Sequence, residues 1–221
     1  SAADNSLGYS STLPITVAEM ATFGRAVASA AQRALVVIDM PFGSYETGPA
    51  DALSNAIALM KPTGADAVKL EGGQRSAGQI RTLVEAGIPV MGHIGFTPQS
   101  VNVLGGFKIQ GRGDAAEQLL EDALAVQNAG AFAVVLEMVP SAIAGEISAK
   151  LDIPTIGIGA GPQVDGQILV WTDFAGMTAG RPRKFVKRYA NLGEQLASAA
   201  LNYRTEVANG QFPTADHSFE D

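Results

Sequence analysis

Ionisable side chains that could carry out catalysis stand at the ends of four apolar, β-branched runs. Asp39 ends ALVVID, Glu71 ends DAVKLE and Glu137 ends FAVVLE. His93 lies near the end of IPVMGHI, and Lys69 precedes Glu71 by two residues, which puts both on one face of a strand. Each run is typical of a strand in a parallel sheet that is buried on both faces. Because parallel strands end at a common edge, we expect these side chains to converge there.

Three carboxylates and a lysine at one site suggest a divalent cation bound by oxygen ligands. The chain has no cysteine, so thiolate ligands are excluded and Mg²⁺ is favoured over zinc. Mg²⁺ that chelates a 2-oxo acid polarises the carbonyl group and makes the neighbouring C–H acidic enough for a carboxylate base such as Glu137. Lys69 could hold the substrate carboxylate or the enolate oxygen. These residues predict a metal-assisted enolate enzyme and leave its electrophile open.

The same side chains also have plainer structural interpretations. Asp39 is followed by a turn containing Pro and Gly, which it could cap. Lys69 and Glu71 could form an internal salt bridge, and Glu137 could be a structural or capping carboxylate. A strand-end histidine such as His93 is by itself more often structural than catalytic. The residue pattern alone leaves these alternatives open.

The elements that would position these residues alternate between strands and helices. Strands are expected over residues 34–39, 66–71, 88–94, 132–137, 153–159 and, more weakly, 167–171. The clearest helix begins after Asp114, a predicted N-cap, and ends before Gly130 at the C′ position. A C-terminal helix is expected over about residues 190–208. One face of it is apolar and consists of Leu192, Leu196, Ala199 and Tyr203.

This alternation predicts right-handed βαβ units, arranged either as an open doubly wound sheet or as a (βα)8 barrel. The barrel is favoured because it brings all the strand ends to one mouth. We therefore expect an α/β fold in which residues 1–221 form a single TIM-type barrel domain. Since a barrel needs eight strands and six are visible, we expect the first two to precede Ser1, so that the chain is incomplete at its N-terminus.

Three further segments could contribute to binding. A connection of about twenty residues, rich in Gly, runs from the strand at 88–94 to Asp114, and loops of this length usually have a function. The turn GIGAGP (residues 157–162) is a weak anion-binding signal. The basic run RPRKFVKR (residues 181–188) is more typical of a solvated helix face than of an anion site.

The composition excludes several classes of protein. A net charge of −7 gives no reason to expect binding to nucleic acid or to an anionic membrane. No apolar run reaches the length of a membrane span, and the first residues lack the pattern of a signal peptide. The absence of cysteine fits a cytoplasmic protein. We therefore expect a soluble protein.

The sequence strongly resembles the ketopantoate hydroxymethyltransferase family. The most specific stretch is GHIGFTPQSVNVLGGFKIQGRGD, and STLPIT, DMPFGSY, VKLEGG, LEMVP and IGIGAGP…DGQILV occur in the same order. The resemblance implies a (βα)8 barrel that assembles into a decamer. It also implies transfer of a one-carbon unit from 5,10-methylenetetrahydrofolate to 3-methyl-2-oxobutanoate through a Mg²⁺-stabilised enolate. The product is 2-dehydropantoate, on the route to pantothenate.

The resemblance also implies roles for individual residues. Asp39 and Glu71 match two Mg²⁺ ligands, and Asp39 and Lys69 match substrate contacts. Glu137 matches the catalytic acid/base, and His93 matches a histidine near the substrate. The long loop after His93 is then expected to cover the substrate or to shape the folate entrance.

One departure from the family pattern concerns an Asp-Ser pair after the second strand. In a gapless alignment Ser1 matches the substrate-binding serine, and the metal-binding aspartate would be the residue before it. A rival alignment, which needs a deletion of about five residues, puts Asn5 at the position of the metal ligand.

Two alternative functions stay open. One is a Mg²⁺-dependent lyase or mutase of the isocitrate lyase-like barrels, against which the absence of cysteine counts. The other is a non-catalytic barrel subunit.

Overall fold

The structure is a computed structural model that describes residues 1–219. The chain divides into two compact units, Ser1–Ile168 and a second unit that begins at Leu169. The first unit contains the sheet and the predicted site residues. The second unit contains two helices and the irregular segments next to them.

Six parallel strands form one sheet, and they are hydrogen-bonded in the order in which they occur along the chain. Their bounds are β1 Val37–Asp39, β2 Ala67–Glu71, β3 Val90–Gly95, β4 Ala133–Glu137, β5 Thr155–Ile158 and β6 Gly166–Gln167. A doubly wound sheet reverses its strand order at a switch point, and none is present in this sheet. The α/β class with sequential parallel strands is therefore confirmed, whereas closure into an eight-stranded barrel stays a prediction.

The sixth strand is shorter than the sequence indicated. It covers Gly166–Gln167 only, and the apolar residues after it do not continue the strand. Ile168 still donates a backbone hydrogen bond to Gly157 O, but Trp171 already begins a short helix with Asp173 in its first turn. The prediction of a strand up to Trp171 was wrong because a short apolar run does not distinguish a strand from a helical turn.

Helices connect successive strands and cover the sheet. In the first unit they are α1 Ala2–Ser6, α2 Val17–Ala30, α3 Pro49–Thr63, α4 Ala77–Glu85, α5 Val101–Leu104, α6 Ala115–Asn128 and α7 Ser141–Lys150. The second unit contains α8 Trp171–Phe174 and α9 Leu192–Ala208. Short 3-10 turns occur at Gln74–Ser76, Pro98–Ser100 and Ala215–His217.

The ends of α6 show how far local sequence signals determine a helix. Gly130 follows the C-cap residue with φ +96°, a left-handed conformation that glycine adopts without a steric penalty. Asp114 does occupy the N-cap position, but its own backbone is already helical and its side chain makes no capping hydrogen bond. The predicted cap position is therefore correct and the predicted side-chain interaction is not. A capping side chain normally needs an extended backbone at the N-cap, which Asp114 lacks.

The core lies between the outer face of the sheet and the helices. Buried strand residues include Ile38, Leu70, Ile94 and Leu136, and they belong to the same cluster as buried residues of α3, α4, α6 and α7. These strand residues alternate with the predicted site residues along each strand, so the site lies on the opposite face of the sheet.

The face of α9 that the sequence predicted to be apolar is largely exposed. Leu196 and Tyr203 are 63% and 60% exposed, and none of the residues of α9 is buried in the described structure. Within residues 1–219, no helix combines the length and the apolar character that crossing a bilayer requires.

The packing of α6 on β3 depends on the absence of a side chain at Gly92. A Cβ atom at this position would overlap Cγ1 of Val126, which is fully buried in α6. We predict that Gly92→Ala lowers the free energy of unfolding by about 1–3 kcal/mol, because the buried valine cannot move without disturbing the core. Urea denaturation followed by circular dichroism measures this change.

Gly78→Ala, in α4, is the matched control. A Cβ atom there would meet only Pro49 Cγ, at 3.9 Å. Replacing a helical glycine by alanine should leave stability unchanged or raise it slightly. Equal stability of Gly92→Ala and the wild type would contradict this account of the packing.

Candidate active site

The strand register places the five strand-borne site residues on one face of the sheet. Asp39 is the lateral partner of Lys69, and Glu71 is the partner of His93. Glu137 is the partner of Gly95, two residues beyond His93 on the same face. The structure therefore brings together the residues that the sequence analysis selected on β1 to β4.

Lys69 and Asp39 form the shortest ion pair of the cluster. Nζ of Lys69 lies 2.7 Å from Oδ1 of Asp39, and 3.4 Å from Nδ1 of His93. Burial by itself lowers the pKa of Lys69, but the carboxylates of Asp39, Glu71 and Glu137 outweigh it, and the pKa lies above its ordinary value. The lysine is therefore a cation at neutral pH and the main positive charge among these carboxylates.

His93 lies between two carboxylates. Its Nδ1 is 3.7 Å from Oε1 of Glu71, and its Nε2 is 3.2 Å from Oε2 of Glu137. All three residues are buried, with exposed fractions of 4%, 2% and 9% respectively. Nε2 of His93 makes no well-formed hydrogen bond in the structure despite its short distance to Glu137. The imidazole thus joins the end of β2 to the end of β4.

The carboxyl group of Glu71 is strongly affected by its surroundings. Burial raises its pKa, and the nearby charges of His93 and Lys69 offset this only in part. The negative charge of Asp39 raises the pKa further. The net shift is upward, so keeping Glu71 ionised at neutral pH costs the folded state free energy.

Two residues in contact with Glu71 were missed by the sequence analysis. The Tyr45 hydroxyl accepts a hydrogen bond from Glu71 N–H at 3.3 Å, and Gln99 N–H donates to Oε2 of Glu71 at 3.0 Å. Burial, reinforced by the carboxylates of Glu71 and Glu46, raises the pKa of Tyr45 far above its ordinary value, so the phenol stays protonated. Both residues lie in loops that follow a strand at the edge where the site lies. This position is the sequence signal that could have found them.

The long loop after His93 contacts the site at both of its ends. Near its start, the 3-10 turn Pro98–Ser100 presents Gln99 to Glu71. Near its end, Gln110 N–H donates to the carbonyl oxygen of Met138, the residue after Glu137. The rings of Phe96 and Phe107 lie 4.7 Å apart and connect the two halves of the loop. The loop thus spans the ends of β2, β3 and β4, while its role in covering a substrate stays a prediction.

The chain adopts unusual backbone conformations beside Glu137. Met138 has φ +51°, a left-handed conformation that is rare for residues other than glycine. Gly95 has φ +87°, and a Cβ atom there would overlap the carbonyl oxygen of Glu137. Positions of this kind often accompany functional sites, and here they let β3 and the end of β4 approach closely.

Other predicted residues are not brought into this cluster. Ser1 is an exposed N-cap residue of α1 whose side chain makes no capping hydrogen bond, and Asn5 lies in the same short helix. The side-chain amide of Asn5 donates to Oδ1 of Asp4 at 3.3 Å, within the same helix. Ser1 as a substrate contact therefore stays a prediction.

Groups in both segments considered for anion binding make hydrogen bonds within the chain. The Gly161 carbonyl in GIGAGP accepts a hydrogen bond from Gln167, and a Cβ atom at Gly161 would overlap Ser141. The run RPRKFVKR is irregular and not helical, so its interpretation as a helix face was wrong. Arg188 in this run donates to the carbonyl oxygens of Thr178 and Gly180, at 2.8 and 3.1 Å.

The arrangement can hold a cation only through a small number of protein ligands. Among residues 1–219 there is no group of three or more His, Asp or Glu side chains placed to surround a metal ion. Asp39 and Glu71 lie on one sheet face beside Lys69 and His93. The charge of the lysine suits binding of an anionic substrate, and the carboxylates and the imidazole suit movement of a proton.

Comparison with known sequences identifies relatives along nearly the whole chain. Residues 1–215 match the family model described as ketopantoate hydroxymethyltransferase. A 3-methyl-2-oxobutanoate hydroxymethyltransferase of Leifsonia xyli subsp. xyli is 63% identical over 219 residues, which cover 99% of this chain and 79% of that protein. The protein of the same name from Mycobacterium sp. (strain KMS) is 61% identical over 219 residues, which cover 99% of this chain and 78% of that protein.

Solved structures resemble the fold at low sequence identity. A putative phosphonomutase from Burkholderia cenocepacia J2315 has a TM-score of 0.55 at 14% identity, covering 87% of this chain and 78% of that chain. A phosphonopyruvate hydrolase has a TM-score of 0.55 at 16% identity, covering 99% of this chain and 76% of that chain. At such identities the likeness concerns the fold alone.

The raised pKa of Glu71 gives a prediction about stability and pH. A carboxyl group with a raised pKa stabilises the folded state below its ordinary pKa of 4.5, and this contribution is lost as the pH rises through the folded-state pKa. Glu71→Gln removes the cost of the buried charge. We therefore predict that the variant has a higher melting temperature than the wild type at pH 8, and that the difference shrinks as the pH falls towards 4.5.

Glu85→Gln, at an exposed position of α4, is the control for the same change of charge. It should shift the melting temperature little at either pH. If Glu71→Gln were less stable than the wild type at pH 8, the favourable interactions of the Glu71 carboxylate with Lys69 and His93 would outweigh the free-energy cost of its burial.

Proposed function

The chain belongs to the ketopantoate hydroxymethyltransferase family, and from this premise we propose that it transfers a hydroxymethyl group from 5,10-methylenetetrahydrofolate to 3-methyl-2-oxobutanoate. The product would be 2-dehydropantoate, in pantothenate biosynthesis. The observation that carries the proposal is the convergence, in a chain of this family, of Asp39, Lys69, Glu71, His93 and Glu137 on one sheet face. Membership of this family also argues against the alternative of a lyase or mutase.

Asp39 and Glu71 are the residues that would hold Mg²⁺. The charge of Asp39 contributes to the raised pKa of Glu71, and a bound cation would relieve that repulsion. Two carboxylates are fewer ligands than a complete protein cage provides. This number fits Mg²⁺, because the ion commonly keeps several waters and takes further oxygen ligands from its substrate. When bound here, Mg²⁺ would polarise the 2-oxo group of the substrate and acidify its C3–H bond.

Lys69 would bind the substrate carboxylate or the negative charge that develops on the 2-oxo oxygen. Its raised pKa keeps it charged at neutral pH, and the ion pair with Asp39 fixes the position of its ammonium group. Asp39 would contact the substrate from the same side. A fixed cation beside a developing enolate oxygen lowers the energy of the transition state without reorganisation of solvent.

Glu137 would accept the proton from C3 of the oxo acid, and C3 would form the new C–C bond to the one-carbon unit. Both C–N bonds between this carbon and the folate would break, tetrahydrofolate would leave, and water would supply the oxygen of the hydroxymethyl group. Glu137 is the last residue of β4, and it is mostly buried, so water has little access to the carboxylate. His93, at 3.2 Å from Glu137, would orient the carboxylate and contact the substrate with the same ring. Its burial and the histidine beside it support the role of Glu137 as the general base.

Several finer features belong to the same proposal. The sequential parallel sheet supports a complete (βα)8 barrel, and exposed apolar residues of α9 support assembly into a homo-oligomer, a decamer by family resemblance. The loop between β3 and α6 would shape the entrance for the folate. A cytoplasmic location stays a prediction from the absence of cysteine.

A product assay tests the proposed function directly. The full-length protein, incubated with 3-methyl-2-oxobutanoate, 5,10-methylenetetrahydrofolate and Mg²⁺, is expected to form 2-dehydropantoate, detected by mass spectrometry. Omission of the folate should abolish product formation, and chelation of the metal should lower it strongly. A correctly folded protein that forms no product under these conditions would support a non-catalytic subunit instead.

The role of Glu137 has a separate test. Because a general base typically contributes a factor of about 10²–10⁴, we predict that Glu137→Gln lowers kcat by that factor and leaves the KM for the oxo acid nearly unchanged. Glu146→Gln, at an exposed position of α7, makes the same substitution away from the site and should retain wild-type turnover. Full turnover in Glu137→Gln would remove this residue from the mechanism.

A further inference from the structure

Tyr45 and Gln99 form a hydrogen-bonded pair behind Glu71. Tyr45 lies in the loop after β1 and is 2% exposed, and Gln99 lies in the loop after β3. Their side chains meet through the Tyr45 hydroxyl and Oε1 of Gln99. The contact joins two loops that are separated by 54 positions in the sequence, and it lies beside the end of β2.

The direction of each hydrogen bond in this pair is determined by chemistry. The carbonyl oxygen of Met40 can only accept, so the Gln99 group that faces it at 2.9 Å must be the amide nitrogen Nε2. Oε1 of Gln99 therefore faces Tyr45, and the phenol must donate its proton to it. The lone pairs of the phenol oxygen are then free to accept from Glu71 N–H, at 3.3 Å.

The pair fixes Glu71 at two points. The Tyr45 hydroxyl holds the backbone N–H of Glu71, and the anchored Gln99 holds Oε2 of its carboxylate through its own backbone N–H at 3.0 Å. The other carboxylate oxygen, Oε1, is left facing Nδ1 of His93 at 3.7 Å. A carboxylate with one oxygen held in this way keeps a defined orientation for a further ligand.

We infer that Tyr45 and Gln99 are positioning residues that hold the Glu71 carboxylate in the orientation needed to bind Mg²⁺. This inference rests on the proposed role of Glu71 as a metal ligand. The two residues would act through Glu71, which they contact, and would not themselves be ligands of the metal. Since removal of either side chain breaks the same chain of hydrogen bonds, the two act as a unit.

Two substitutions test the pair. Tyr45→Phe removes only the hydroxyl group, and Gln99→Met keeps the length of the side chain and the backbone N–H. Each is expected to weaken Mg²⁺ binding about 10–100-fold, as is typical when a partner of a metal ligand is removed. Isothermal titration with Mg²⁺ alone measures this effect independently of activity. In kinetics the Mg²⁺ concentration for half-maximal rate should rise by the same factor, while kcat at saturating Mg²⁺ changes little.

Controls and a double variant separate positioning from general stability. Tyr9→Phe removes a phenol that donates to Glu19 at 2.8 Å, and Gln118→Met alters an exposed position of α6, so both should retain wild-type Mg²⁺ affinity. The double variant Tyr45→Phe/Gln99→Met should bind Mg²⁺ no more weakly than the weaker single variant. Additive losses in the double variant would overturn the coupling between the two residues.

The outcomes distinguish this inference from the proposed function. Wild-type Mg²⁺ affinity in both single variants, or a lower melting temperature with unchanged affinity, would overturn the positioning role. If Tyr45→Phe does not fold, Gln99→Met decides the matter alone. Failure of the unmodified protein to bind Mg²⁺ and to form product would instead overturn the proposed function on which the inference rests.

Discussion

The site depends on the burial of ionisable groups on one face of a parallel sheet. Glu71, His93 and Glu137 are almost inaccessible to solvent, and isolated charges in such a place would be costly. The structure reduces this cost by placing Lys69 and His93 beside the carboxylates, at distances of 2.7 to 3.7 Å. The alternation of strand side chains makes this possible, because the apolar residues between the charged ones form the core on the other face.

The loops at this edge of the sheet contact the strand ends that carry the site residues. Strands fix where Glu71 and Glu137 lie, and loop residues fix how the ends of these strands are held. The loop after β3 contacts Glu71 at one end and the residue after Glu137 at the other. The loop must therefore be long enough to reach from the end of β2 to the end of β4, whether or not it also contacts a substrate.

The sequence predicted the first five strands and the positions of the polar residues at their ends well, because both depend on local patterns. Apolar runs that end in Asp39, Glu71 and Glu137 identify buried strands and their polar ends without reference to the rest of the chain. Tyr45 and Gln99 escaped prediction because their roles arise from contact between residues 54 positions apart. The sixth strand was predicted too long for a different reason, because the apolar residues after Gln167 fit a strand and a helical turn equally well.

The left-handed backbone at Met138 has a consequence for the pairing of β4 with its neighbours. A strand that slides by one residue exchanges the side chains on its two faces, which here would replace Glu137 by Leu136 or Met138 on the polar face. The positive φ of Met138 takes the chain out of the extended conformation directly after Glu137, although Met138 N–H still donates to the carbonyl oxygen of Ile158 at 2.9 Å. Glu137 is therefore the last side chain of β4 on the polar face, and its position depends on the pairing of the whole strand.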